Sequence, residues 1–278
     1  MTNPDRNVSE QIAFIGGGNM TRAIVLGMLK HGFAPDGIAI SEPNADRRDE
    51  LASEMPGVAI LASNEDALAR ADTVVLAVKP QVLPDVCRDL AETAQKRRPL
   101  VISIAAGTRG ADIDAWLGGG LAVIRVMPNQ PALLGLGVSG VVGNERAGDA
   151  ELARAEAILG ATGTVVRVNS EAEIDAVTAV SGSGPAYFFL LIDMLAESGA
   201  KLGLDPDAAR VLAIETARGA AAVAHAESET MDALIARVRS PGGTTAAALD
   251  SLDASGVRDI FDRAVTAACD RAAELAGS

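Results

Sequence analysis

Eight short runs rich in β-branched residues lie between residues 12 and 168, and no comparable run follows them. They are IAFI (12–15), IAIS (38–41), VAIL (58–61), TVVLAV (73–78), LVISIA (100–105), AVIRVM (122–127), VSGVVG (138–143) and TVVRV (164–168). Amphipathic or alanine-rich stretches separate them, and several runs are apolar at every position. Such strands need cover on both faces, so the pattern predicts a doubly wound α/β domain whose sheet is in part parallel. From residue 171 to residue 277 alanine, leucine and charge recur at helical spacing instead. The expected division is an α/β domain over residues 1–168 and an all-α domain over residues 169–278, in keeping with the usual ~100 to 200 residues per domain.

Within the second domain, Pro185 suits a helical first turn, Asp205 and Pro206 read as a cap and first-turn pair, and Gly256 separates the last two helical patterns. Ile260, Phe261, Val265, Ala268, Ala272 and Leu275 form one apolar stripe on the final helix. The whole chain has only seven aromatic residues. Its helical half must therefore pack through small side chains, and a surface of that kind is expected to close on a second subunit.

The first strand runs into GGGNM (16–20) and then into a helical pattern. Gly16 and Gly18 occupy the first two positions of the dinucleotide fingerprint, where one permits the turn and the other lets backbone approach a pyrophosphate at the helix N-terminus. Thr21 stands at the third position, where glycine or alanine would allow close packing, so the match is partial. Its context, after a strand and before a helix in an alternating domain, favours a Rossmann-like dinucleotide-binding domain. LAVKPQ (76–81) and SIAAG (103–107) end later strands, where ligands of open α/β sheets bind. Taken alone, Lys79 reads as a solvated surface lysine. SPGGTT (240–245) places two glycines and three hydroxyl side chains before a helix, an arrangement that suits a small carboxylate or serves as a hinged cap.

A formal net charge of −13 argues against nucleic acid and anionic membranes as partners. Two distant cysteines, Cys87 and Cys269, provide neither a disulfide framework nor a metal cluster and fit a reducing, cytoplasmic setting. His31 and His225 lack metal spacing, and no metal is expected. The first eleven residues are polar and read as a ragged start.

Six blocks, FIGGGNM, LAVKPQ, SIAAG, RVMPNQPALLGLG, AVSGSGPAYFF and RSPGGTTAAAL, occur in an order that resembles pyrroline-5-carboxylate reductase, the enzyme of the last step of proline synthesis. The resemblance spans residues 14 to 249. It implies an N-terminal dinucleotide-binding domain, a helical C-terminal domain that dimerises by interlocking, and hydride transfer from NADPH or NADH to a cyclic imine. It also implies a homodimer or an assembly of dimers, with an active site where the two domains meet. By the same resemblance Gly16, Gly17, Gly18, Asn19 and Met20 hold the pyrophosphate. Asn64 and the backbone of Ala77, Val78, Lys79 and Pro80 hold the rest of the dinucleotide, and Ala105 and Ala106 lie beside the nicotinamide. Ser240, Gly242, Gly243 and Thr244 take the substrate carboxylate, and Thr245 hydrogen-bonds the ring nitrogen. Thr21, Gln130 and Arg239 depart from the family pattern.

Glu42 ends the second strand, where an acidic side chain normally accepts hydrogen bonds from the adenosine ribose hydroxyls. A 2′-phosphate there meets like charge, although Ser41, Asn44, Arg47 and Arg48 lie close enough in sequence to offset it. Three other readings compete: a reductase of another cyclic imine, a β-hydroxyacid dehydrogenase-like enzyme, and a dinucleotide-binding sensor or scaffold. The second needs a lysine after the SGSGPAY stretch, where Phe188, Phe189, Leu190 and Leu191 stand instead, and the third has no use for SPGGTT.

Overall fold

The structure, a computed structural model, describes residues 10–277. The ragged start falls almost wholly outside them. In the first part of the chain strands and helices alternate: β1 (Ile12–Ile15), α1 (Asn19–Lys30), β2 (Ile38–Ser41), α2 (Ala45–Glu54), β3 (Ala59–Leu61), α3 (Asn64–Leu68), β4 (Thr73–Leu76), α4 (Leu83–Arg97), β5 (Leu100–Ser103), α5 (Gly110–Trp116) and β6 (Val123–Met127). Then come β7 (Gly137–Gly143), α6 (Asp149–Leu159), β8 (Gly163–Arg167) and α7 (Glu171–Val177). All eight predicted strands form one sheet in the order β3-β2-β1-β4-β5-β6-β7-β8. Pairing is parallel throughout except between β6 and β7.

The strand order reverses at β1, which pairs with β2 on one side and β4 on the other. A crevice beyond the carboxyl ends of β1 and β4 is thus the expected ligand position. Alternation within β1 sets the two core layers. Ile12 and Phe14 join Ile24, Val25 and Met28 of α1 on one face. Ala13 and Ile15 join Leu83, Cys87 and Leu90 of α4 on the other. Burial pushes the Cys87 thiol up to about 12, which leaves it a small hydrophobe without reactivity at neutral pH.

Among the described residues, one compact unit contains the chain up to Gly182 together with the residues from Cys269 onward, and the second is Ser183–Ala268. The first boundary lies beyond the expected 168/169. Glu171, at the start of α7, accounts for this: its carboxylate accepts from Arg125 of β6 at 3.0 Å and from the Gly110 backbone N–H at 2.7 Å. Arg125 is 5% exposed, so this pair fastens the first helical turn after the sheet to the sheet itself. The π-helical turn Thr178–Gly182 follows it. At the other end of the chain, Arg109 Nε donates to the Ala276 carbonyl at 3.1 Å and keeps the end of the last helix with the first unit.

The second unit contains α8 (Gly184–Lys201), α9 (Pro206–Ala226), α10 (Met231–Val238), α11 (Thr244–Ala254) and the larger part of α12 (Val257–Gly277). As expected, Pro185 lies in the first turn of α8, and Asp205 caps α9 by accepting from Asp207 and Ala208. Gly256, at φ +70°, separates α11 from α12. The α8–α9 pair packs closely where Gly199 meets Ala209, and a Cβ on Gly199 would lie 3.1 Å from Ala209 Cβ. Few apolar side chains are buried here, and Phe188, Phe189, Leu190 and Leu191 are 62%, 57%, 59% and 41% exposed.

Close approach also shapes the first unit at Gly27, where an added Cβ would run into the Ala161 carbonyl. In a helix interior Gly→Ala is normally stabilising by about 1 kcal/mol, but overpacking against a fixed backbone costs about 1–3 kcal/mol. Gly27→Ala is expected to lower the melting temperature despite its better helix propensity, as thermal unfolding followed by circular dichroism would show.

Candidate active site

The loop between β1 and α1 is a tight cradle. Gly16 adopts φ +105°, and a Cβ there would lie 2.8 Å from the Ala77 carbonyl oxygen, so no other residue fits without strain. A Cβ on Gly17 would lie 2.6 Å from Leu51 Cδ1, whereas Gly18 faces open space. Gly18 is the N-cap of α1 and makes no side-chain capping bond. The first N–H groups of that helix thus face an open edge with the positive end of the helix dipole behind them, which fits an anionic pyrophosphate.

Thr21 is not the impediment that the fingerprint suggests. It is fully buried, and its Oγ1 donates to the Gly16 carbonyl at 2.6 Å. The hydroxyl satisfies a carbonyl of the strained turn, so the threonine closes the loop from within. Sequence spacing shows only a residue larger than glycine, and the partner becomes visible when the helix is built.

Every other predicted coenzyme residue lies at the carboxyl end of a strand in the same unit. Glu42 follows β2, Asn64 opens α3 after β3, Ala77 to Pro80 follow β4, and Ala105 and Ala106 follow β5. The Asn64 side chain is oriented: the buried Ser41 hydroxyl donates to its Oδ1 at 2.6 Å, leaving Nδ2 as the group to present. Lys79 is exposed, as its surface reading suggests, and its neighbours Ala77, Val78 and Pro80 are half-buried. The Ala105 N–H donates to Ser103 Oγ at 3.3 Å, which supports the turn leaving β5. Asn129, given no role by sequence reasoning, is buried and joins two loops of the same unit. Its Nδ2 donates to the Ser181 carbonyl and its Oδ1 accepts from Val138. Two polar partners 52 and 9 residues away leave no local signature.

The second unit contains the other predicted cluster. Gly242 is at φ +68°, and Gly243 is the N-cap of α11 without a side-chain capping bond. The Gly243 N–H donates to the Ser240 carbonyl at 3.0 Å, and a Cβ on Gly243 would collide with Ser240 Oγ. Ser240, Gly242, Gly243, Thr244 and Thr245 are thereby brought together around one helix start, with Thr245 half-buried. Arg239 pairs with Asp250 of α11 at 2.6 Å, so its charge is neutralised within the unit.

Both clusters lie in segments that match known families. A family model described as pyrroline-5-carboxylate reductase dimerisation matches residues 171–275, and one described as NADP oxidoreductase, coenzyme F420-dependent, matches residues 11–107. The pyrroline-5-carboxylate reductase of Pseudomonas aeruginosa is 45% identical over 266 residues, 96% of this chain and 97% of that protein. The chain belongs to the pyrroline-5-carboxylate reductase family. It is a soluble oxidoreductase with a nicotinamide coenzyme. The solved structure of the Coxiella burnetii reductase is similar, with a TM-score of 0.93 and 38% identity, covering 96% of this chain and 99% of that one. That of Plasmodium falciparum pyrroline carboxylate reductase, with NADP bound, has a TM-score of 0.82 at 26% identity, covering 96% and 98%. The Rossmann-like domain followed by a helical dimerisation region is the architecture of the family.

One consequence concerns the turn. Thr21→Val keeps the volume but leaves the Gly16 carbonyl without its hydroxyl, a loss of about 1 kcal/mol. This variant is expected to unfold at lower denaturant concentration and to bind coenzyme more weakly, measurable by urea titration and calorimetry.

Proposed function

We propose that the chain reduces 1-pyrroline-5-carboxylate to L-proline, the last step of proline biosynthesis, in the cytoplasm and as a homodimer. The observation that carries this reading is the pair of uncapped helix starts in a chain of this family: one behind Gly16 to Gly18, suited to a pyrophosphate, and one behind Ser240 to Thr245, suited to a small carboxylate. When bound, NADPH or NADH supplies the hydride. Gly16, Gly17, Gly18, Asn19 and Met20 hold the pyrophosphate, with Glu42, Asn64 and the Ala77–Pro80 backbone along the adenosine side and Ala105 and Ala106 beside the nicotinamide.

The substrate residues bind and orient. Backbone N–H groups around Gly242, Gly243 and Thr244, with Ser240, take the carboxylate and so fix the ring, the Gly243 N–H giving up its bond to the Ser240 carbonyl if it joins them. Hydride adds to the imine carbon, the C=N electron pair goes to the ring nitrogen, and a proton from solvent water completes the amine. Thr245 Oγ1 donates a hydrogen bond to that nitrogen and stabilises the charge that develops there. The chain's contribution is position and polarity.

Residues 169–278 form the substrate-binding and dimerisation domain in this reading, although compactness places the first of them with the sheet. Residues 171–201 include a helical run long and apolar enough to cross a membrane by length and composition. Only 11% of that run is buried in a single chain, and it lies in the region matched by the dimerisation family, so a second subunit explains it without a lipid.

Oxidation of NADH or NADPH by the purified protein with 1-pyrroline-5-carboxylate, compared with a six-membered cyclic imine, tests the reaction. Turnover on the five-membered ring is expected, and none on either ring would sink the reading. Thr245→Ala is expected to lower kcat on the order of 10²-fold, with coenzyme affinity nearly unchanged and Thr245→Ser restoring much of the rate. Unaltered kinetics would remove Thr245 from the mechanism.

A further inference from the structure

The loop after β2 decides between two ribose chemistries, and its side chains are already committed. Glu42 lies across the glycine turn: its Oε2 accepts from the Gly17 N–H at 3.0 Å and its Oε1 from the Asn44 N–H at 2.9 Å. Its carboxylate is thus fixed at the end of β2 by two backbone donors. Among the described residues, no arginine or lysine is ion-paired with it.

The four groups that the sequence offers to a 2′-phosphate each make bonds within the loop or to its immediate neighbours, Arg48 through Nη1 alone. Ser41 is buried and donates to Asn64 Oδ1 at 2.6 Å. Asn44 Oδ1 caps α2 by accepting from the Arg47 N–H at 2.9 Å. Arg47 reaches beneath the turn, with Nε on the Gly17 carbonyl at 3.0 Å and Nη1 on Glu50 at 2.8 Å, and its Nη2 is buried without a hydrogen-bond partner. An atom with no exposed surface meets a docking phosphate only if side chains move. Its charge also acts on the far side of the loop: Glu54 is held below the usual carboxylate range first by its hydrogen bond to Arg22 and, to a lesser degree, by Arg47. Arg48 spends Nη1 on the Glu42 and Pro43 carbonyls at 2.9 and 2.8 Å. Across residues 42–50 four carboxylates face two guanidiniums, so an incoming phosphate dianion meets net negative charge.

We propose that this loop selects an unphosphorylated adenosine ribose, with the Glu42 carboxylate accepting from the ribose hydroxyls, so that NADH is the preferred coenzyme of this chain. Two oriented acceptor oxygens gain hydrogen bonds from a diol and face repulsion from a 2′-phosphate. This inference rests on the glycine turn holding a dinucleotide and is independent of which imine is reduced.

Calorimetric titration of the full-length protein with NAD+ and NADP+, in the absence of imine, reads the preference directly. The parent is expected to bind NAD+ at least about tenfold more tightly. Glu42→Gln, which removes the charge at nearly constant shape, and Glu42→Ser are each expected to shift the ratio of dissociation constants toward NADP+ by about tenfold or more. Arg48→Ala is expected to leave that ratio within twofold. Tighter NADP+ binding by the parent, a ratio unmoved in a folded Glu42 variant, or a selective loss of NADP+ affinity in Arg48→Ala would each overturn the proposal. Binding of neither coenzyme would instead overturn the dinucleotide reading itself. The ratio of kcat/KM for NADH and NADPH on the imine is expected to follow the binding ratio.

Discussion

Gly16 can turn the chain because it has no side chain. Its N–H donates to the Ser41 carbonyl at 2.9 Å, its carbonyl accepts from Thr21, and the Ala77 carbonyl oxygen stands 2.8 Å from where a Cβ would be. One residue is thereby held against β2, α1 and the loop after β4 at once. The parallel register of β1 with β2 and β4 brings these three chain ends level, and the turn converts that alignment into a cradle. A bulkier residue would force β1 and β4 apart or tilt α1 away, and either change removes the helix N-terminus from the crevice. The cradle is therefore a consequence of how the central strands pair, and Gly16 and Gly17 are required by the fold itself.

The second unit follows a different physical logic. Its helices have alanine where a self-sufficient domain would place larger side chains, and the deeply buried apolar positions of α9 are Ala209 and Ala213. Small residues allow close helix approach but remove little apolar area from water per residue, at ~25 cal/mol for each Å². Its larger side chains, Phe188 to Leu191, Met194 and Leu195 on α8, are exposed instead. Stabilisation that would come from an internal core must come from a surface shared between chains, so the folded state of this half is linked to protein concentration.

Strand positions were legible because apolar β-branched runs between glycine and polar punctuation have few other uses, and all eight became strands of one sheet. Helix limits marked by Pro185, Asp205 and Gly256 were equally legible, since each acts through its own backbone. What escaped sequence reasoning depends on partners distant in the chain. Thr21 reads as a defect in the fingerprint although its hydroxyl bonds Gly16, and α7 stays with the sheet because Glu171 pairs with a buried arginine 46 residues earlier. The residues of SPGGTT were recognisable as a group because they are consecutive, whereas Asn129 joins segments that sequence keeps apart.

The loop after β2 shows why a coenzyme preference is hard to read from letters alone. Residues 41 to 48 contain a serine, an asparagine and two arginines, a set that could equally surround a phosphate. In the folded chain those groups are the loop's own scaffold: Asn44 starts α2, Arg47 spans from α2 to the Gly17 carbonyl, and Arg48 gathers the Glu42 and Pro43 carbonyls. Turning Arg48 toward a ligand would return two carbonyls to water, and moving Arg47 would leave the Gly17 carbonyl without its donor. Each released bond forfeits roughly 1 kcal/mol or more where an ionised donor is involved. Removing the Glu42 carboxylate also frees the Gly17 N–H. That N–H opens on the glycine turn, so the same substitution that lifts repulsion from a phosphate adds a donor to the cradle. Loop geometry is held by one set of hydrogen bonds, and Glu42 is the acidic member of that set, bonded to the Gly17 and Asn44 N–H groups.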